Sequence, residues 1–115
     1  MLIMANERKF EIYEHTEKGS DPKKGSIVTY TVGYNDGYGN MAAGSRQDSL
    51  EGEIADALID IALNIPKTSK PNQLPIKVNA HCYLGKGSRV LLELYAKAEK
   101  VPIEFIERIA DKNKV

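Results

Sequence analysis

Few side chains in this 115-residue chain stand out as able to do chemistry: two histidines and one cysteine among sixteen carboxylates. His15 closes the stretch Phe10-Glu11-Ile12-Tyr13-Glu14-His15, and His81 ends Val78-Asn79-Ala80-His81, both strand-like in alternation. Glu51 stands in Ser49-Leu50-Glu51, where a helix begins. Two imidazoles and a carboxylate, His15, Glu51 and His81, form a donor set for a divalent metal. Imidazole suits zinc, iron, copper or nickel better than magnesium, which wants oxygen. The competing reading is strand-end surface histidines and a first-turn acid that complements the helix dipole. Cys82 falls on the apolar side of its strand and reads as a buried, inert thiol. Neighbouring strand residues point to opposite faces, so Cys82 and His81 diverge and make no dyad.

Two further groupings concern binding. Gly85-Lys86-Gly87-Ser88, followed by Arg89, lies between a strand and a helix. Backbone N–H groups at a helix N-terminus hold phosphate, and Lys86 and Arg89 add charge. The loop lacks the Walker A pattern. It is similar to the pyrophosphate loop of acyl-CoA-dependent N-acetyltransferases, although Cys82 stands where those carry Arg or Gln. The plain reading is a glycine turn capped by Ser88. Tyr30 and Tyr34 share one face of a strand, with Tyr38 in the turn beyond. Aromatic rings on a sheet stack unpaired bases, and Lys23, Lys24, Lys67, Lys70, Lys86 and Arg89 would add phosphate contacts from loops. The competing reading is cross-strand packing with wet hydroxyls.

The elements that must position these groups follow from periodicity. Lys9 to Glu17 alternates as a strand, with Phe10 and Ile12 on one face and Glu11, Tyr13 and His15 on the other. Lys18 to Ser26 is a Gly/Pro/Ser/Lys loop. Ile27 to Tyr34 is the clearest strand, rich in β-branched and aromatic residues. Asn35 to Asn40 carries an Asp-Gly turn signal, and Met41 to Arg46 is a weaker third strand. A helix follows, capped by Asp48 or Ser49, with Leu50, Ile54, Ala57, Leu58, Ile61 and Ile65 on its buried stripe and Glu51, Glu53, Asp56 and Asp60 mostly wet. Pro66 ends it, and Lys67 to Gln73 is a loop. Leu74 to Leu84 is the fourth strand. The second helix runs to about Lys100, burying Leu91, Leu94, Tyr95 and Ala98. Ile103 to Glu107 is the fifth strand. The first three strands should form an antiparallel meander. The last two, joined through a helix, should be parallel with a right-handed crossover.

This α/β order, β-β-β-α-β-α-β with a five-stranded mixed sheet and two helices, resembles the ribonuclease H-like fold over residues 9–107. That fold draws acids from the first strand, the first helix and the end of the fourth strand, and these clamp two divalent metals for phosphodiester hydrolysis. The resemblance places the first-strand acid on Glu14 or His15, the helix acid on Glu51 and the fourth-strand acid on His81. Asp111 is the one late candidate for the final acid. Histidine at residue 81 and Thr16-Glu17 after His15 depart from the family pattern. The resemblance therefore implies a non-catalytic binding module for nucleic acid or a protein partner. The alternative is a metal-dependent nuclease with a degenerate acidic site. A third reading is a small-molecule or acyl-CoA site at Gly85–Ser88.

Composition narrows the choice. One domain is expected, since a domain takes about 100–200 residues; it spans 9–109, between a flexible segment at 1–8 and a polar tail at 110–115. Met1 or Met4 is the expected native start. Sixteen basic residues balance sixteen acidic ones, which excludes a strongly basic, nonspecific nucleic-acid binder. The balance is local: residues 1–40 hold five basic and six acidic groups, 41–70 three and five, and 71–115 eight and five. A single cysteine, with no signal peptide and no long apolar run, fits a reducing, cytoplasmic protein without a membrane span. Small residues Ala42, Ala43 and Gly44 on a free third-strand edge would let a second copy pair there as a homodimer.

Overall fold

In the computed structural model, residues 7–18, 25–66 and 72–108 are described. The elements run β1 (Arg8–Lys18), β2 (Ser26–Asn35), β3 (Met41–Ala43), α1 (Leu50–Asn64), β4 (Ile76–Ala80), α2 (Lys86–Glu99) and β5 (Ile103–Glu107). They form one five-stranded mixed sheet in the order β3-β2-β1-β4-β5. β1 pairs antiparallel with β2, and β2 antiparallel with β3. β1 with β4 and β4 with β5 are parallel. Both the meander and the parallel final pair are therefore as expected. The expected loops and tails at 1–6, 19–24, 67–71 and 109–115, with Lys23, Lys24, Lys67, Lys70 and Asp111, lie outside the described residues.

Alternation assigns each strand's two faces. Phe10 and Ile12 of β1, Val32 and Tyr34 of β2, and Val78 and Ala80 of β4 are all buried, and pack with Ile54, Ala57 and Ile61 of α1 and Leu92 and Ala96 of α2 in one core. Both helices thus cover the same face. No described element covers the other.

Three local expectations change. The α2 stripe is turned relative to the expected one. Ser88, Leu92 and Ala96 are buried, Leu91 and Tyr95 are half-buried, and Leu94 is 57 % exposed. The α2 cap is Gly85, with Ser88 buried inside the first turn. In α1, Ser49, one of the two expected caps, accepts from Gly52 N.

The third change is Glu53, which is buried outright rather than wet. β3 stops at Ala43, so the neighbouring backbone needs other partners. Glu53 supplies them: Oε2 accepts from Val32 N and Oε1 from Arg46 N, both at 2.9 Å. One turn on, Asp56 Oδ2 accepts from the Ser45 hydroxyl and the Gln47 amide. A further turn on, Asp60 Oδ2 accepts from Ala43 N at 2.9 Å. Acids spaced three and four apart on one helix face thus hold the segment 43–47, whose backbone beyond β3 keeps the Gly44–Val32 and Gln47–Tyr30 bonds to β2.

The N-terminal end of β1 is locked differently. Arg8 is 1 % exposed. Its Nε donates to Tyr34 Oη at 2.7 Å, and its guanidinium reaches Tyr95 Oη at 3.0 Å and Glu99 Oε1 at 2.5 Å. Its charge also lies against both tyrosine rings.

Candidate functional site

The two faces of β1 divide the residues with chemical potential. Glu14 points to the helix-covered face with Phe10 and Ile12. There its charge lies near Tyr30, and with Glu107 it lies close enough to influence Cys82. Burial, then those two carboxylates, push the Cys82 thiol up to about 11. At neutral pH it is a protonated, poor nucleophile. Burial and Glu14 likewise raise the Tyr30 phenol.

Glu51 also lies on the helix side, with its carboxylate against Gly87 in the first turn of α2. It sets a negative charge beside the positive end of the α2 dipole. Arg89 is likewise engaged: it pairs with Glu107, and its guanidinium sits 4.8 Å from the Phe105 ring centroid. Of the Gly85–Arg89 segment, Lys86 alone is exposed. Glu51 and Glu107 thus lie beside the segment expected to take phosphate or acyl-CoA through Lys86, Gly87, Ser88 and Arg89.

The histidines lie on the opposite, open face. His15 Nε2 is hydrogen-bonded to Thr31 Oγ1 at 2.8 Å. His81 Nε2 lies 3.2 Å from Glu11 Oε2; the carboxylate only accepts, so the imidazole donates. The sheet separates both from Glu51. Among the described residues, no group of three His, Cys, Asp or Glu side chains is placed to hold a metal. The donor set His15, Glu51 and His81 is not assembled, nor is the acid set Glu14, Glu51 and His81.

The aromatic expectation fails at Tyr34 for a similar reason. Tyr34 is 3 % exposed, 4.8 Å from the Phe10 ring and held by Arg8. Tyr30 is packed against the core. Tyr34 offers no free surface to a base and Tyr30 is half-buried, because even-numbered β2 residues face the helices.

The open face carries a cluster not expected from the sequence. Tyr13, 43 % exposed, stacks flat on His81, with centroids 4.3 Å apart and planes 4° from parallel. The Glu11 carboxylate joins both strands, accepting from His81 and, through Oε1, from Asn79 Nδ2 at 2.9 Å. Burial raises its carboxyl, but the hydrogen bonds from Asn79 and His81 and the nearby Lys9 outweigh this and leave it below the ordinary carboxylate value. Asn79 is 9 % exposed, and its Oδ1 has no hydrogen-bond partner among the described residues. Beside this cluster Gly33 opens a shallow floor, since a Cβ there would meet nothing within 4 Å. Lys9, Lys77 and Arg46 flank the face, paired with Glu11, Glu7 and Glu17 respectively. The strand alternation already put Glu11 and Tyr13 on His15's face. That they would meet Asn79 and His81 depends on β1 pairing in parallel with β4, Glu11 opposite Asn79.

In comparisons with known proteins, no family model matches this chain, and no curated protein and no solved structure matches it.

Proposed function

We propose that this chain is a non-catalytic binding module on a ribonuclease H-like framework, taking single-stranded nucleic acid on the open face of its sheet. The framework reading rests on the element order and on the antiparallel-then-parallel strand pairing. The binding reading rests on one observation: the flat Tyr13–His81 stack on a sheet face that no described helix covers. A ring held flat by its neighbour is pre-organised to receive an unpaired base, and base–aromatic stacking contributes ~1–3 kcal/mol per base. Thr29, Thr31 and Asn35 on the same face supply neutral hydrogen-bonding groups, and Gly33 leaves room for a base to approach the backbone. The cations bordering the face are already ion-paired. Binding should therefore depend on stacking more than on counterion release, with a shallow salt slope.

Fluorescence anisotropy of a labelled single-stranded oligonucleotide, titrated with the full chain over a salt series, tests this. Binding weakened about tenfold by Tyr13→Ala supports it. Equal affinity for duplex and single strand, or none for either, removes it. Metal-dependent cleavage of the oligonucleotide that Glu51→Gln abolishes would instead establish the nuclease alternative.

A further inference from the structure

A second surface lies on the flank of the sheet, remote in character from the open face. The outward stripe of α1 presents Asp56, Ile59, Asp60 and Leu63, at the three- and four-residue spacing that brings side chains together on a helix. Ile59 is 56 % exposed and Leu63 76 %. With Ala43 and Gly44 they line a groove of about 280 Å³. That is below the ~300–1,000 Å³ of small-molecule pockets and suits one or two side chains. Asp56 and Asp60 are fixed in this groove by their bonds to the 43–47 segment, and Asp60 Oδ1 also accepts from the Asn64 amide. Neither is in an ion pair among the described residues, and no cation lines the groove.

The charge limits the occupant. Two fixed carboxylates repel nucleic acid and anionic lipid. A second copy pairing face to face would set each pair of acids against its counterpart. Strand addition at β3 is hindered because Ala43 N is already bonded to Asp60. We infer that this flank docks a protein partner through a short segment with an arginine or lysine beside an aliphatic side chain. The cation takes the remaining lone pairs of Asp56 and Asp60, and the aliphatic group lies between Ile59 and Leu63.

The test uses the full chain and a panel of labelled, end-blocked peptides in which Arg and Leu stand one to four residues apart, with a matched panel carrying Glu for Arg. At least one Arg–Leu peptide should bind and its Glu counterpart should not. The double variant Ile59→Ser, Leu63→Ser should lose at least about tenfold in affinity, the scale of a hot-spot truncation. Because neither side chain caps the backbone, its melting temperature should stay close to that of the parent. Absence of binding across the panel, equal binding of Arg and Glu peptides, or indifference to the double variant overturns the inference. So does sedimentation that shows a dimer abolished by the double variant, which would make a second copy the occupant.

Discussion

The helix-covered and open faces of the sheet are built from alternate residues of the same strands, yet they solve opposite problems. On the covered face, the buried charges Arg8 and Glu53 are both partnered. Arg8 is enclosed by Tyr34, Tyr95 and Glu99, and Glu53 accepts two backbone N–H groups at once. Around them pack Phe10, Ile12, Ile54 and Leu92, none with measurable exposure. The open face keeps polar and aromatic groups in reach of solvent, and its Glu11–Asn79–His81 cluster leaves Asn79 Oδ1 without a partner among the described residues. Changes on the covered face should therefore be read in stability, and changes on the open face in binding.

The largest stability effect should come from Glu53→Ala. It strands the Val32 and Arg46 N–H groups, each costing ~1–3 kcal/mol, and leaves a cavity, for a loss of about 4 kcal/mol in urea denaturation. A loss below about 1 kcal/mol, the scale of ordinary surface changes, would show that the edge of β2 is held otherwise. Gly44→Ala comes next. Its new Cβ would collide with the Glu53 carboxylate, which two hydrogen bonds prevent from yielding, so about 2 kcal/mol of overpacking is expected. Gly87→Ala is the contrasting case, because the Glu51 carboxylate it meets can swing away.

Cys82 should resist modification by a thiol reagent near neutral pH in the folded chain and react fully on unfolding, since its thiol is buried and raised to about 11. Prompt reaction in the native state would contradict the packing at the end of β4.

The smallest effect concerns acid. Glu11 titrates below its ordinary value of 4.5 in the folded chain. Its contribution to stability is therefore complete above that value and is lost as pH falls through the lower folded pKa. Glu11→Gln should flatten the acid limb of the stability–pH curve slightly. The part owed to Glu7, whose carboxyl is lowered by its hydrogen bond and charge interaction with Lys77, should remain. An unchanged limb would mean that the Glu11–Asn79–His81 cluster does not form in solution.

Much of this architecture is legible in the residues themselves. Period-two alternation separates Phe10 and Ile12 from Glu11 and Tyr13, and Pro66 and Pro102 mark where helical runs end. The five strands and two helices then arrange as their order requires. Glu53 was illegible because a carboxylate in a first helical turn ordinarily faces water, and only the early end of β3 makes unpaired backbone for it to meet. Tyr34 misled because an aromatic on a strand has two faces to choose from, and choosing needs the position of the helices. The Tyr13–His81 stack joins residues 13 and 81 through parallel strand pairing, which no local pattern encodes. Similarly, Glu51 reaches Gly87 only once α1 and α2 are packed side by side.

The central claim, that one face stabilises and the other binds, is tested most directly by anisotropy and denaturation on one pair of tyrosine variants. Tyr13→Ala should weaken binding of a single-stranded oligonucleotide about tenfold and change stability by less than about 0.5 kcal/mol. Tyr34→Phe, which deprives buried Arg8 of an acceptor, should cost about 1–2 kcal/mol of stability and leave binding unchanged. If Tyr34→Phe weakens binding while Tyr13→Ala does not, the open face is not the binding surface and the account is wrong.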